Sequence, residues 1–296
     1  MSDSAARDRD AVEEKSAFAH AEIAPDRTVA YGDHPDQVID LWAPAHGWTN
    51  MPLVVLLHGG AWRAPYDRRH VSPLAAFLTD RGFAVASVEY RRGADPSSAG
   101  EGNAAGEGNA AGRWPETFDD VAAAMDAIPA VAARELPEAD LRRIVVTGHS
   151  AGGHLALWAA ARHVLPEGSP WRLPEPPPLR GVVALAPIAD LLTAAKLGIC
   201  SGAVHELLGG EEGFAERRPH VDPAVLLPTG IATHIVQGCD DIVVPQSVAE
   251  AFVAAAATAG ETVGLTLLDE IGHFPLIDPS TDACALVAEE LEQLAW

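Results

Sequence analysis

Residues 142–154, Arg-Arg-Ile-Val-Val-Thr-Gly-His-Ser-Ala-Gly-Gly-His, contain the pattern that decides the fold. The β-branched residues 144–146 are typical of a strand that is buried on both faces. A G-x-S-x-G pattern centred on Ser150 follows at once, and the Ala- and Leu-rich residues 151–161 predict a helix. A strand, a tight turn and a helix in this order lift the Ser150 hydroxyl out of the sheet, close to a helix N-terminus. We therefore expect Ser150 to be a nucleophile rather than an inert serine in a turn.

The size and charge of the chain restrict the classes of protein to which it can belong. Its 296 residues correspond to one large α/β domain or two small ones. It has 42 acidic residues against 20 Lys and Arg, which gives a formal net charge of −22. A surface of this charge repels nucleic acid and anionic membranes, so neither is expected as a partner.

The N-terminal residues and the cysteines predict a soluble cytoplasmic protein. Residues 1–20 are polar and charged, so we expect a flexible segment or a loose helix, and no signal peptide. No apolar run reaches the roughly 18 residues needed to cross a bilayer. Cys200, Cys239 and Cys284 are too few and too scattered for a disulfide framework. The chain has neither C-x-x-C nor H-E-x-x-H, so we expect no metal site.

Strand-like and helix-like segments alternate along residues 21–296, which we expect to form a single domain. Such alternation predicts a parallel sheet with helices on both faces and ligand chemistry at the carboxyl ends of the strands.

Residues 93–112 contain the sequence Glu-Gly-Asn-Ala-Ala-Gly twice and predict a flexible loop insertion. Residues 188–227 lack strand periodicity and carry short helical pieces, so they are a possible cap above the sheet. The proline at position 129 should kink or break the helix predicted for residues 115–134. Further strands are expected at residues 37–42 (an edge strand), 51–57, 83–90, 181–186, 231–237 and 262–268.

A serine nucleophile needs a base, and the base needs an acid that orients it. Asp241 follows one predicted strand and His273 follows the next, which gives the chain order Ser, Asp, His. Asp240 is an alternative to Asp241, but a shift of one position redirects the side chain. Asp190 is a weaker alternative that is better suited to capping a helix.

The sequence His58-Gly-Gly-Ala-Trp62 predicts the second half of the site. Small residues allow backbone N–H groups to approach the oxyanion of an acyl-transfer intermediate. We expect the donors to be Gly60 and Ala61, together with Ala151 directly after the nucleophile. Trp62 is either a wall of the substrate pocket or an aromatic residue packed behind the loop.

Three other histidines lie in or near these motifs. His58 precedes the glycine pair and is expected to fix the loop. His149 and His154 flank the nucleophile too closely to take its proton, and we interpret both as packing or supporting residues, with His149 a weak pocket candidate.

The H-G-G-A-W, E-Y-R and G-H-S-A-G-G motifs, with the spaced Asp and His, resemble the α/β-hydrolase superfamily. The resemblance covers residues 31–296. Hormone-sensitive-lipase-type carboxylesterases have H-G-G-G, with glycine where this chain has Ala61, whereas kynurenine formamidase-like hydrolases have H-G-G-x-W, which this chain matches. The resemblance implies a mostly parallel, eight-stranded sheet with a small cap. It also implies Ser150 as nucleophile, His273 as base, Asp241 as orienting acid, and no cofactor.

We therefore expect a serine hydrolase that cleaves a small carboxylic ester or an N-formyl arylamide, a carboxylesterase or an arylformamidase. Its partner is a small-molecule acyl substrate, and the chain is a monomer or a homodimer. A peptidase of the prolyl-oligopeptidase type is less suitable, because such enzymes carry a large extra domain. A non-catalytic ligand-binding protein on a hydrolase scaffold remains the alternative from another class.

Overall fold

Eight strands form one sheet within residues 3–44, 48–93 and 111–296, which are the residues that the computed structural model describes. The strands are β1 Arg27–Ala30, β2 Val38–Trp42, β3 Met51–Leu57, β4 Ala84–Val88, β5 Ala139–His149, β6 Gly181–Leu185, β7 Thr233–Gly238 and β8 Gly264–Leu268. Their spatial order is β1-β2-β4-β3-β5-β6-β7-β8. Strand β2 is antiparallel to both of its neighbours, β1 and β4. All the other neighbouring pairs, β4–β3, β3–β5, β5–β6, β6–β7 and β7–β8, are parallel. This is the mostly parallel, eight-stranded sheet that was expected.

Helices cover both faces of the sheet, as the alternating pattern predicts. They are α1 Asp3–Ala17, α2 Ser72–Asp80, α3 Glu116–Glu135, α4 Ala151–Ala160, α5 Leu191–Leu197, α6 Ile199–Leu207, α7 Gly210–Val221, α8 Gln246–Thr258 and α9 Asp282–Ala295. Successive residues of a strand point to opposite faces. In β3, Leu53, Val55 and Leu57 accordingly pack with α3, α4 and α8, and Val54 and Leu56 pack with α2 and α9. Two apolar layers thus hold the sheet between them.

Three parts of the structure bear on the sequence predictions. Residues 3–17 form a helix, α1, which is the second alternative for this segment, and side chains of this helix bond to distant loops. Strand β2 is not an edge strand, since the short β1 pairs along its outer side. Helix α3 continues through Pro129, so the break that was one of the two expected effects of this proline does not occur. The predicted loop insertion falls largely on residues 94–110, outside the described residues.

The order of the strands determines where a ligand site can form. The chain passes from β3 to β4 on one side and then returns to place β5 on the other side of β3. In open α/β sheets, ligands bind at the carboxyl ends of the strands where the order reverses in this way. The sequence His58–Trp62 follows β3 directly and Ser150 follows β5 directly. Both motifs therefore lie at the position where this fold binds its ligands.

No helix within the described residues is both long enough and apolar enough to cross a membrane.

Candidate active site

Ser150 lies in a strained turn between β5 and α4. Its backbone has φ 57° and ψ −117°, which is left-handed for a residue that is not glycine. Such a conformation costs about 1–3 kcal/mol and persists where its surroundings enforce it. Here the Ser150 N–H donates to Leu185 O at 2.8 Å. A Cβ at Gly148 would overlap the backbone of Gly152, and a Cβ at Gly152 would overlap Leu57 O and His58 O. The two glycines therefore let the turn pass between its neighbours.

Asp241 and His273 form a buried pair beside this turn. His273 Nδ1 lies 2.6 Å from Asp241 Oδ2, and both side chains are almost fully buried. Asp241 Oδ1 accepts hydrogen bonds from the backbone N–H groups of Val243 and Val244, each at 2.8 Å. Gln237 donates to Oδ2 at 3.2 Å. Because a carboxylate only accepts, the His273 Nδ1–H donates this hydrogen bond to Asp241.

The two alternative aspartates have other partners. Asp240 Oδ2 accepts from Arg9 at 2.7 Å, and the Asp240 carbonyl accepts from the same guanidinium at 3.1 Å. Asp190 is the N-cap of α5 and accepts from the N–H of Thr193 at 2.7 Å. The structure thus brings Asp241, rather than Asp240 or Asp190, to His273.

His149 supports the loop that carries His273. The His149 Nε2–H donates to the carbonyl of His273 at 2.9 Å, and the two ring centroids are 4.3 Å apart. Burial, followed by the proximity of His273, lowers the pKa of His149 well below its usual range. His149 is therefore uncharged at neutral pH, so it positions the His273 backbone without adding a charge to the site.

A buried network fixes the loop after β3, in which Gly60 and Ala61 have φ of 104° and 51°. His58 stacks on Tyr90 with ring centroids 4.3 Å apart, and the Tyr90 hydroxyl donates to His58 O at 2.7 Å. Glu89 accepts from His58 Nε2 at 2.8 Å. Burial raises the pKa of Glu89, but His58 and nearby arginines outweigh it and hold that pKa at about 2. His58 thus anchors the loop through an ionised carboxylate.

Trp62 does not form a wall of the pocket, in contrast to one of the two interpretations above. The side chain is fully buried and packs edge-on against His154, with ring centroids 5.2 Å apart. The reason is the left-handed backbone at Ala61 and Trp62, which turns the indole towards the core. His154 in turn donates to Val221 O at 2.8 Å, and burial lowers its pKa to about 4. Both residues support the loop from behind.

A cavity of about 290 Å³ brings the predicted residues together. Ser150, His149 and His273 line it, together with Gly60 and Ala61 of the loop. Ala151 is buried directly beside Ser150 at the first position of α4. The Ser150 hydroxyl, the His273 imidazole and a loop of small residues therefore line one cavity.

Other parts of the chain that sequence reasoning missed complete the cavity. Helix α1 contributes Asp10 and Glu14, and α6, in the region expected to be a cap, contributes Cys200 and Ser201. Phe18, just after α1, also lines it. The spacing of residues 10, 14 and 18 predicts one face of a helix, but it does not indicate what that face covers.

Proteins of known sequence provide an independent comparison. A probable isoprenylcysteine alpha-carbonyl methylesterase of Oryza sativa subsp. japonica is 26% identical over 90% of this chain and 61% of its own length. Isoprenylcysteine alpha-carbonyl methylesterase of Arabidopsis thaliana is 27% identical over 84% of this chain and 56% of its own length. Esterase LipC of Mycobacterium tuberculosis is 30% identical over 52% of this chain. The chain thus spans about three-fifths of the length of the methylesterases that it matches.

Solved structures match the fold, and a family model matches most of the sequence. A truncated carbohydrate esterase from gut microbiota superposes with a TM-score of 0.73 at 20% identity, covering 93% of this chain and 98% of its own. Esterase B of Lactobacillus rhamnosis superposes with a TM-score of 0.70 at 18% identity, covering 98% and 92%. The BD-FAE family model matches residues 39–255, which include the loop after β3, Ser150 and Asp241. The chain belongs to the BD-FAE family and has the fold of the α/β-hydrolase superfamily.

Proposed function

We propose that this protein is a carboxylic ester hydrolase that uses Ser150 as nucleophile, His273 as general base and Asp241 as the acid that orients it. One observation carries the proposal: the Asp241–His273 hydrogen bond of 2.6 Å lies at the cavity that Ser150 also lines. A nucleophile, a base and an orienting acid are the three parts that acyl transfer by serine requires.

In the proposed reaction, His273 Nε2 takes the proton of the Ser150 hydroxyl as its oxygen attacks the ester carbonyl carbon. The resulting oxyanion accepts hydrogen bonds from the backbone N–H groups of Gly60, Ala61 and Ala151. His273 then gives its proton to the alcohol, which leaves an acyl-enzyme on Ser150. Water deprotonated by His273 attacks that ester, the Ser150 oxygen leaves and takes the proton back from His273, and the acid is released. Asp241 keeps the Nδ1 proton in place and stabilises the imidazolium that forms in each half of the reaction.

Two features bear on the substrate class: the activities of the relatives and the size of the cavity. The named relatives are esterases and methylesterases, which supports ester hydrolysis by this chain. The cavity of about 290 Å³ is at the small end of the range of ligand pockets, so a short acyl group fits it better than a long one.

The formamide alternative depends on the H-G-G-x-W pattern, and Trp62 is the residue that distinguishes this pattern from H-G-G-G. Because the Trp62 indole is buried behind the loop, it offers a substrate no contact. The pattern is therefore consistent with a role in packing, and we favour an ester over an N-formyl arylamide.

A paired assay tests this function. Wild type and Ser150→Ala are each given p-nitrophenyl butyrate and N-formylkynurenine under matched conditions, and kcat/KM is measured. We expect wild type to cleave the ester at least a hundredfold better than the formamide, and Ser150→Ala to cleave neither. A preference for the formamide would favour an arylformamidase instead. Failure of wild type to cleave either substrate would favour a peptidase or a non-catalytic ligand-binding protein.

A further inference from the structure

Helix α1 is held against the active-site loops by polar contacts on one of its faces. Arg9 binds Asp240, the residue before Asp241, at 2.7 Å. Glu13 accepts from the N–H of Gly272, the residue before His273, at 3.2 Å. Ser16 donates to Asp278 at 2.6 Å. These contacts fix α1 beside the loops that carry the proposed acid and base, so the adjacent face of the helix is directed at the cavity.

That adjacent face is acidic. Asp10 and Glu14 are one helical turn apart, both are half-buried, and both line the cavity. Asp10 Oδ1 is buried and accepts no hydrogen bond from the described part of the chain. Burial raises the pKa of Asp10, and the nearby His273 opposes this change. A buried oxygen without a donor is costly, so a donor or a cation supplied by a ligand would stabilise it.

Aromatic rings surround the same part of the cavity. The centroid of Phe18 is 6.1 Å from Tyr66, 5.4 Å from His70 and 5.8 Å from Phe274, and all four residues line the cavity. Burial is the main cause that lowers the pKa of His70 to about 4, so the imidazole is neutral at pH 7. Faces of aromatic rings attract cations within about 6 Å. The aromatic cluster and the two carboxylates therefore favour the same kind of ligand.

The one arginine among the described residues that line the cavity has acidic and carbonyl partners of its own. Arg63 bonds to Glu206 at 2.9 Å and to the carbonyl of Cys200 at 2.9 Å. These partners offset the charge of Arg63, whereas Asp10 and Glu14 line the cavity from α1. The α1 side of the cavity is therefore negative, in a chain whose net charge is already −22.

We propose that Asp10 and Glu14 are specificity-determining residues that make this hydrolase prefer esters with an ammonium group on the portion facing α1. This inference rests on the proposed ester hydrolysis and specifies its substrate class. The two carboxylates attract the cation, and Phe18 with Tyr66 and Phe274 provides ring faces against which its methyl or methylene groups pack. A carboxylate in the same position is repelled, and an uncharged group of the same shape gains only the packing.

Three esters of similar size test the preference. They are 2-(trimethylammonio)ethyl butyrate, its uncharged isostere 3,3-dimethylbutyl butyrate, and the butyrate ester of 3-hydroxypropionate, which is anionic. Each half-exposed charge contact and each cation–π contact contributes only a small binding free energy. For wild type we therefore expect kcat/KM to be about tenfold higher for the cationic than for the neutral ester. The anionic ester should react more slowly than the neutral one, and the preference should shrink as ionic strength rises.

Substitutions in α1 test whether Asp10 and Glu14 cause the preference for the cationic ester. In the double variant Asp10→Asn and Glu14→Gln, the ratio of kcat/KM between cationic and neutral ester should fall to about one. Asp8→Asn removes one charge from an exposed position of the same helix, so it is the matched control and should keep the wild-type ratio.

Each outcome bears on a different claim. A wild-type ratio of one or less, or a ratio that the double variant leaves unchanged, contradicts the charge preference while ester hydrolysis stands. If wild type hydrolyses none of the three esters faster than Ser150→Ala does, the proposed function fails and the preference fails with it.

Discussion

Glu89→Gln tests whether the buried network behind the loop after β3 stabilises both the fold and the site. The carboxylate is almost fully buried and accepts from His58 at 2.8 Å, from Arg92 at 2.6 Å and from the backbone N–H groups of Tyr90 and Arg68 at 3.0 and 3.1 Å. Glutamine has nearly the same shape but no charge, and its NH₂ group would face donors. The variant therefore removes the ionisation while it preserves the volume.

The expected loss of stability follows from the pKa. The network lowers the pKa of Glu89 from an ordinary 4.5 to about 2, a difference of about 2.5 units. At 1.36 kcal/mol per unit, ionised Glu89 contributes about 3 kcal/mol to the free energy of unfolding at neutral pH. Because the folded-state pKa is the lower one, this contribution is present above pH 4.5 and is lost as the pH falls towards 2. The difference between wild type and variant should therefore shrink over that range.

Urea unfolding of wild type, Glu89→Gln and the control Glu167→Gln at pH 7 and pH 3.5 measures this effect. Glu167 has a side chain that is 96% exposed, so its substitution should change stability by less than about 0.5 kcal/mol. Esterase kcat should fall at least tenfold in Glu89→Gln, because His58 loses its acceptor and the loop donors shift. A variant within 1 kcal/mol of wild type at pH 7, with normal kcat, would refute the reasoning.

Further predictions concern the site itself. Asp241→Asn should lower kcat by about 10³–10⁴, because an amide no longer selects the Nδ1–H tautomer of His273. Asp240→Asn should lower kcat less than tenfold, and equal losses of kcat in the two variants would contradict Asp241 as the orienting acid. Gly152→Ala should abolish activity and lower the melting temperature by several degrees, since the added Cβ overlaps Leu57 O. A melting temperature equal to that of wild type, measured by calorimetry, would contradict this prediction. Burial raises the pKa of Cys200 to about 11, so the rate of inactivation by iodoacetamide should rise about tenfold per pH unit from pH 7 to 9. Inactivation should be absent in Cys200→Ser, and a rate that does not change with pH would contradict the raised pKa.

The sequence predicted the centre of the fold because its signals there are local. The strand, glycine-flanked turn and helix around Ser150 occupy consecutive residues, and the order of strands fixes which loops share an edge of the sheet. The positions of Asp241 and His273 after successive strands therefore predicted that they would meet, and the structure brings them within 2.6 Å. The sheet and its helices on both faces are confirmed for the same reason.

Features that depend on distant contacts were not predictable in this way. Helix α1 has no strongly apolar face, and it is held by pairs such as Arg9–Asp240, which are 231 residues apart in the chain. The strand β1 has four residues that are mostly exposed, too few for a periodic pattern. The orientation of Trp62 depends on a left-handed backbone at Ala61, which non-glycine residues rarely adopt and sequence does not reveal.

Covalent labelling tests the central claim, that Ser150 is a nucleophile activated by His273, most directly. A fluorophosphonate probe is incubated with wild type, Ser150→Ala and His273→Ala, and the modified peptide is mapped by mass spectrometry. We predict a single adduct on Ser150 in wild type, none in Ser150→Ala, and labelling at least a hundredfold slower in His273→Ala. Labelling of a different residue, or equal labelling of wild type and Ser150→Ala, would contradict the claim.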